Sequence, residues 1–400
     1  MRYAPIDGDE QAAELAEVLS RCFAFPATEA KAWIERSGLE NSRVLLEGPR
    51  VVAGLIQIPM GQWFGGRVVP TLGIAGVGVA PHLRGRGSAA TLMAETIREA
   101  FGRRIATSTL YPATVALYRK VGYEIAGSRW ETTVPSGQLD LVAGDVEGVD
   151  LAPLGEADHD ATTRVYRAEA RRQAGWLDRG PYVWRRVEAP RADVAHGFGV
   201  FEGSKMTGYT YFVQKHTDDQ RYALRLTDLC ATTPRALRKL LVFFAQHRSV
   251  GDEVRWTGAA VSPALALLSE RTYALREAFP WMLRIVDVRR ALEARGYPAC
   301  VRADVILRVR DSLLPQNDGR FAVRVRDGRA KVAPDRGAAP RPSRKAAGVA
   351  LDVAALAPLF TGHRSASQLA ALGSLEGPAA DVAALDAVFA GPAPSMVDMF

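Results

Sequence analysis

A chain of 400 residues, 48% hydrophobic and 24% charged, exceeds one ordinary core and has globular composition, so two or three domains are expected. No stretch approaches the roughly 18 to 20 apolar residues of a membrane span, and Met1-Arg2-Tyr3-Ala4-Pro5 lacks a signal-peptide build, so a cytoplasmic protein without a membrane span is expected. The net charge of +7 is spread along the chain among Asp and Glu, which gives no reason to expect nucleic acid, and Cys22, Cys230 and Cys300 form neither a disulfide framework nor a metal pattern.

In the first segment, Leu15, Val18, Leu19, Cys22 and Phe23 follow helical spacing. Arg43 to Leu46 and Val51 to Met60 read as strands around a turn at Glu47-Gly48-Pro49-Arg50, and Val68 to Val79 is a further extended run. A helix starts near Ser88, with Leu92, Met93, Ile97, Ala100 and Phe101 on one face. A strand (Ile105 to Ser108), a short helix (Thr114 to Val121) and a last strand (Tyr123 to Val134) complete an α/β segment. The middle segment repeats this layout. A helix from Ala161 to Ala174 is followed by strands near Val194 to Phe201 and Gly208 to Gln214, then by a strand (Tyr222 to Cys230) running into a helix (Arg235 to His247). Here Ala231-Thr232-Thr233-Pro234-Arg235-Ala236 stands where the first segment has Ala80-Pro81-His82-Leu83-Arg84-Gly85-Arg86-Gly87. The layout recurs and the glycines do not. The third segment opens with a helix (Val288 to Arg295) closed by Gly296, continues with strands near Val301 to Val309 and Phe321 to Val325 and a turn at Asp327-Gly328, and then has an Ala-, Pro- and Arg-rich connection from Ala333 to Ala347. Two short helices (Ser367 to Leu372, Asp381 to Phe389) precede a tail that ends on Phe400.

The stretch from Val77 to Ala90 carries the chemistry. It joins an extended run to an amphipathic helix, and a helix N-terminus offers unpaired N–H groups and partial positive charge to phosphate. Gly85 and Gly87 let the main chain approach a pyrophosphate, Arg84 and Arg86 add charge-assisted donors, and Ser88 can cap the helix or donate to phosphate. No G-x-x-x-x-G-K-[S/T] occurs. Gly85, Gly87 and Ala90 match a relaxed dinucleotide pattern, but Ala100 to Tyr123 holds no Asp or Glu for a ribose.

Arg84, Gly87 and Ala89 make an Arg-x-x-Gly-x-Ala element that resembles the pyrophosphate loop of the GNAT acetyltransferase superfamily. Downstream, Leu117-Tyr118-Arg119-Lys120-Val121-Gly122-Tyr123 is similar to that superfamily's Leu-Tyr-x-x-x-Gly-Phe/Tyr segment. Over essentially the whole chain the sequence resembles the enhanced-intracellular-survival (Eis) family, with Val288 to Tyr297 similar to the segment that opens its third domain and Asp398-Met399-Phe400 matching its habit of ending on phenylalanine. The resemblance implies an α/β (α+β) protein of three parts: a catalytic acetyltransferase domain (1–135), a second acetyltransferase-like domain without a cofactor site (136–284), and a sterol-carrier-like domain (285–400). It also implies acetyl-coenzyme A as co-substrate, a primary amine such as an aminoglycoside as acceptor, no metal, and a homo-hexamer. By the same resemblance, Val77, Gly78 and Val79 would bond the pantetheine arm. Arg84, Gly85, Arg86, Gly87, Ser88, Ala89 and Ala90 would hold the pyrophosphate, with Ala113 and Thr114 near the arm. Tyr118 would be the general acid and the Phe400 carboxylate the general base.

Polycationic acceptors call for acids around the amine. The segment Phe23-Ala24-Phe25 and Met399 are apolar where family members can carry acids, and among the pocket residues Phe25, Trp33, Glu35 and Met399 only Glu35 is acidic. Lysine side chains of proteins are an alternative acceptor, and a non-catalytic acyl-coenzyme A or lipid sensor is an alternative function.

Overall fold

The computed structural model describes residues 1–139, 146–190, 193–218, 220–334 and 348–400. In chain order the first stretch comprises β1 (Arg2–Pro5), α1 (Gly8–Phe23), α2 (Ala27–Ser37), β2 (Ser42–Glu47), β3 (Arg50–Phe64), β4 (Arg67–Val79), α3 (Ser88–Gly102), β5 (Thr107–Leu110), α4 (Val115–Arg119) and β6 (Glu124–Pro135). The second holds β7 (Val149–Pro153), α5 (His159–Ala170), β8 (Leu177–Asp178), α6 (Pro181–Glu188), β9 (His196–Glu202), β10 (Lys205–Asp218), β11 (Arg221–Ala231), α7 (Pro234–Ala245), β12 (Gly251–Gly258), α8 (Pro263–Ala266) and β13 (Ala274–Ile285). The third holds α9 (Val288–Ala294), β14 (Ala303–Arg310), β15 (Gly319–Arg326), β16 (Arg329–Pro334), β17 (Val349–Asp352), α10 (Val353–Thr361), α11 (Ala366–Ala371), β18 (Leu375–Glu376) and α12 (Ala379–Val388).

Contacts divide the chain into two units: Met1–Gly127 with Pro280–Pro392 and Phe400, and Ser128–Phe279 with Ala393–Met399. In the first unit the strands run β1-β2-β3-β4-β5-β13, antiparallel except for the parallel β4–β5 pair, with Met282–Ile285 of β13 on β5. The apolar stripe read from the sequence does the packing: α3 buries Leu92, Met93, Ile97 and Ala100, and α1 buries Leu15, Val18 and Leu19. Phe23, expected on the same face of α1, is instead 41% exposed, because it closes the helix just before the left-handed Ala24 turns the chain away. The third stretch forms its own sheet in the order β16-β15-β14-β17-β18, with α10 and α12 against β14. It also supplies Leu314 to the core around α3 and β4. Arg284, fully buried, is held by Asp311 at 2.7 and 2.8 Å. Removing one partner of such a pair strands a buried charge and costs about 3–5 kcal/mol.

The second unit has the order β6-β12-β11-β10-β9-β7 around a core of Phe212, Leu224, Leu240, Leu241, Phe244 and Val254. Several limits shift from the sequence reading. The helix expected to Ala174 ends at Ala170, the strand expected from Val194 starts at His196, and the last helix is Ala379–Val388. Of the expected connection Ala333 to Ala347, residues 333–334 end β16 and 335–347 lie outside the described residues. The expected domain limits 135 and 284 fall at the end of β6 and near the end of β13.

Candidate active site

The site grows from one irregular strand. The β4–β5 ladder pairs Thr71 with Thr107, Leu72 with Ser108 and Gly73 with Thr109, and β4 then runs on to Val79 beyond the end of β5 at Leu110. On its other side β4 slips register against β3, from Ile56–Ala75 to Gly54–Gly78. Gly76 takes up the bulge with φ +59°, a left-handed value that disfavours a side chain. Val77, Gly78 and Val79 therefore lie on a length of strand whose β5 side is left open, the kind of edge that pairs with an extended amide-bearing ligand.

Beyond it comes the glycine loop. Gly85 and Gly87 have φ of +80° and +83°, and a Cβ at either would meet nothing within 4 Å. Their glycines are thus set by conformation and by free space in front of the backbone, not by crowding from the protein. Arg84, Gly85, Arg86 and Gly87 are exposed. Thr91 N–H makes the first bond of α3, to Gly87 O at 3.0 Å, so the N–H groups of Ser88, Ala89 and Ala90 point out of the helix end. The N-cap is Gly87, with no side-chain cap. Ser88, read as a possible cap, is the first helical residue instead, buried, with its Oγ 3.5 Å from Met1 Sδ. Arg84 donates to Cys22 Sγ at 3.5 Å and leans toward α1. Uncapped N–H groups, flanking guanidinium groups and two glycines with open space before them are what a pyrophosphate requires.

Ala113 and Thr114 are exposed at the head of α4, where Thr114 is the N-cap. Tyr118 is 5% exposed and meets the Tyr123 ring edge-on at 6.0 Å. Burial pushes its phenol up to about 12, so it is a neutral proton donor at physiological pH. Gly122 ends the turn at φ +84°, and a Cβ there would lie 2.9 Å from Arg284 Nε. Both the conformation and the buried guanidinium demand glycine in the Leu-Tyr-x-x-x-Gly-Tyr segment.

The terminal Phe400 is 8% exposed. A Cβ on Gly73 would come within 2.9 Å of its ring, and the Tyr111 ring stands 5.7 Å away. The chain thus ends beside the last residue that β4 pairs with β5. Three residues along the same strand, about 10 Å, Trp33 packs on Gly76, 3.0 Å from where a Cβ would lie. Phe25 meets Trp33 edge-on at 6.2 Å, and Phe23 stacks on Phe25 at 6.0 Å. Phe25 and Trp33 are brought together; Glu35 is exposed on its helix, 3.9 Å from Lys31. Met399 belongs to the second unit, where its carbonyl accepts from Arg186 Nε at 2.7 Å.

The sequence reading missed what holds that tail. Asp398 is buried on Arg179 (2.8 Å), whose other end binds Asp228 at 2.5 Å and whose guanidinium lies 3.7 Å from the Tyr166 ring centroid. Tyr209 donates to Asp228 at 2.6 Å. Arg129 and Thr257 both donate to Val397 O at 3.2 Å, and Ser395 N–H to Ala174 O at 2.9 Å. A single Asp before the terminus and one Arg among many gave no periodic or spacing signal of this pairing. Among the described residues no group of three or more His, Cys, Asp or Glu is placed to hold a metal ion, and no helix is long and apolar enough to cross a membrane.

Comparison with known proteins gives the family and the domain composition. Two acetyltransferase (GNAT) domain profiles match residues 5–126 and 175–285, and a sterol carrier protein domain profile matches 288–397. The crystal structure of a GCN5-related N-acetyltransferase from Anabaena variabilis superposes with a TM-score of 0.92 at 34% identity, covering 100% of both chains. One from Kribbella flavida gives 0.86 at 26%, covering 100% of this chain and 98% of that one. The N-acetyltransferase Eis of Mycobacterium tuberculosis is 28% identical over 342 residues, 82% of this chain and 80% of its own. Two tandem acetyltransferase folds and a sterol-carrier-like domain make up the chain, and the activity is transfer of an acetyl group from acetyl-coenzyme A to an amine. The protein belongs to the GCN5-related N-acetyltransferases and is homologous to the Eis proteins among them.

Proposed function

We propose that the protein acetylates a small primary amine by direct attack, using Tyr118 as general acid and the Phe400 α-carboxylate as general base. The observation that carries this reading is the position of Phe400 beside Gly73, where β4 and β5 part. Acetyl-coenzyme A supplies the acetyl group, and coenzyme A leaves as the thiol. The backbone of Val77 to Val79 orients the pantetheine arm, with Ala113 and Thr114 alongside it. Arg84 to Ala90 hold the pyrophosphate by uncapped N–H groups and guanidinium charge. A primary amine with a pKa of ~10 is mostly protonated at neutral pH and must lose a proton before it can attack. The terminal carboxylate takes that proton, and its charge draws the ammonium form in. Tyr118, held neutral by burial, gives a proton to the departing sulfur. Positioning of the two reactants lowers the barrier without a covalent enzyme intermediate. Domain limits of 1–135, 136–284 and 285–400 and a homo-hexamer complete the proposal on family resemblance.

The test is a C-terminal extension, which takes the free carboxylate off Phe400. The kcat is expected to fall about 10²-fold with acetyl-coenzyme A affinity, melting temperature and solution mass unchanged. A well-folded extended enzyme that turns over at the unextended rate would remove Phe400 from the chemistry.

A further inference from the structure

The second sheet of the first unit carries arginines on its outer face. Along β14 the side chains alternate, with Leu307 and Val309 buried and Arg308 and Arg310 exposed. The ladders set Arg308 opposite Arg320 of β15 on one side and level with Ala350 of β17 on the other, and they set Ala350 opposite Glu376 of β18. One row across four strands therefore reads Arg320, Arg308, Ala350, Glu376. The methyl group of Ala350 leaves room between its longer neighbours. A groove of about 420 Å³ opens over this row, within the usual range for small-molecule sites, and Arg310 and Asp318 also line it. Among the described residues Arg308 has one polar partner, the neutral carbonyl of Gly348 at 3.5 Å. Arg310 has none among them, although Asp352 stands level with it on β17. The groove thus holds two guanidinium groups to which the described residues supply no counter-charge.

We infer that this groove binds a small phosphate ester, with the phosphate on Arg308 and Arg310 and the hydroxyl groups of the ester toward Glu376. Two residues apart on one strand, Arg308 and Arg310 start about 7 Å from each other, a spacing that two long side chains close on a single tetrahedral anion. One guanidinium satisfies a carboxylate through paired N–H donors, whereas the terminal oxygens of a phosphate accept from two. Arg320, beside Arg308, adds to the positive field. The acids limit what else enters. Asp318 precedes β15 and Glu376 lies on β18, so carboxylates stand on both sides of the arginines and repel a chain of phosphates such as a nucleic acid. Glu376 lies two strands from Arg308, roughly 10 Å, where it accepts from hydroxyl groups carried a few bonds beyond the phosphate.

The test is calorimetric titration of the full-length protein at low salt with glycerol 3-phosphate, inorganic phosphate and glycerol, and binding to phosphatidylcholine vesicles with and without phosphatidic acid. Glycerol 3-phosphate is expected to bind, more tightly than inorganic phosphate, while glycerol does not, and its affinity is expected to fall as ionic strength rises. The Arg308→Gln/Arg310→Gln double variant is expected to weaken it at least about tenfold. Where that variant fails to fold, Arg310→Gln alone is expected to lower the affinity. Glu376→Gln is expected to remove the preference for the ester over inorganic phosphate. Gly87→Trp, which fills the loop before α3, is expected to leave the titration unchanged, so that phosphate bound at that loop is not mistaken for this groove. Binding to phosphatidic acid vesicles alone, lost in the double variant, supports the same site with a lipid headgroup as the source of the phosphate. No binding of either phosphate source, undiminished affinity in the folded double variant, or loss of binding in folded Gly87→Trp overturns the inference and leaves acetyl transfer standing.

Discussion

The chain builds the same strand–loop–helix twice, and the two helix ends differ in what satisfies them. At the head of α7, Thr233 accepts from Ala236 N–H at 3.1 Å and donates to Glu202 at 2.5 Å, while Pro234 has no N–H to offer. At the head of α3, Gly87 provides no side-chain cap, and the two left-handed glycines before the helix have free space in front of them. A helix end that caps itself has fewer donors left for phosphate; one that leaves them bare has them ready. The tyrosine proposed as proton donor follows the same division. Where α4 presents Tyr118, α8 reads Pro263-Ala264-Leu265-Ala266. The second copy keeps the scaffold, and its helix end is capped where the first is bare.

The largest effect expected is on binding. Gly87→Trp fills the space in front of the loop and is expected to weaken acetyl-coenzyme A on the order of 10³-fold, since several charge-assisted bonds go together. The fold should survive, because nothing in the protein lies within 4 Å of that side and the left-handed backbone there adds only about 1–2 kcal/mol of strain. Calorimetry of the folded variant with unchanged affinity would move the cofactor out of this loop. The same titration on the wild type is expected to give one cofactor per chain, and two would erase the distinction between the copies.

Next in size is Tyr118→Phe, expected to lower kcat about 10²-fold with little change in acetyl-coenzyme A affinity. Burial raises the phenol to about 12, so its neutral, donating form persists through the alkaline range. The rate should therefore climb with pH as the amine deprotonates, toward a plateau near pH ~10, without a falling limb from Tyr118 below about 12. A limb descending between pH 8 and 9 that disappears in the Phe variant would contradict the raised value.

The smallest effect separates capping from catalysis. Thr233→Ala is expected to cost about 1 kcal/mol of stability, read from the denaturant midpoint, with kcat/KM unchanged. An equal loss of turnover would mean that the second helix end takes part in the reaction.

Much of the first domain was legible because its signals are local. The apolar stripe of α3 has the period of a helix, the loop glycines are spaced for a turn, and Tyr118 and Gly122 sit in one short segment. Glu35 shows the opposite case: its sequence offered an acid near the pocket, and its helix turns it outward to Lys31. Neither Arg43, buried against Glu99 at 2.6 Å with Tyr3 donating to the same carboxylate, nor the Arg284–Asp311 pair has a pattern that residue spacing reveals.

By itself, then, the sequence determined which helix end stays uncapped and which caps itself, since Gly85, Gly87 and Thr233 act within a few residues of their own positions. Only the tertiary structure decided where the chain ends. Phe400 reaches Gly73 across 327 positions of sequence, and Asp398 finds Arg179 and through it Asp228, because burying those charges is tolerable only when they meet. Pairings of that range are set by the packing of whole sheets, which no local pattern of residues encodes.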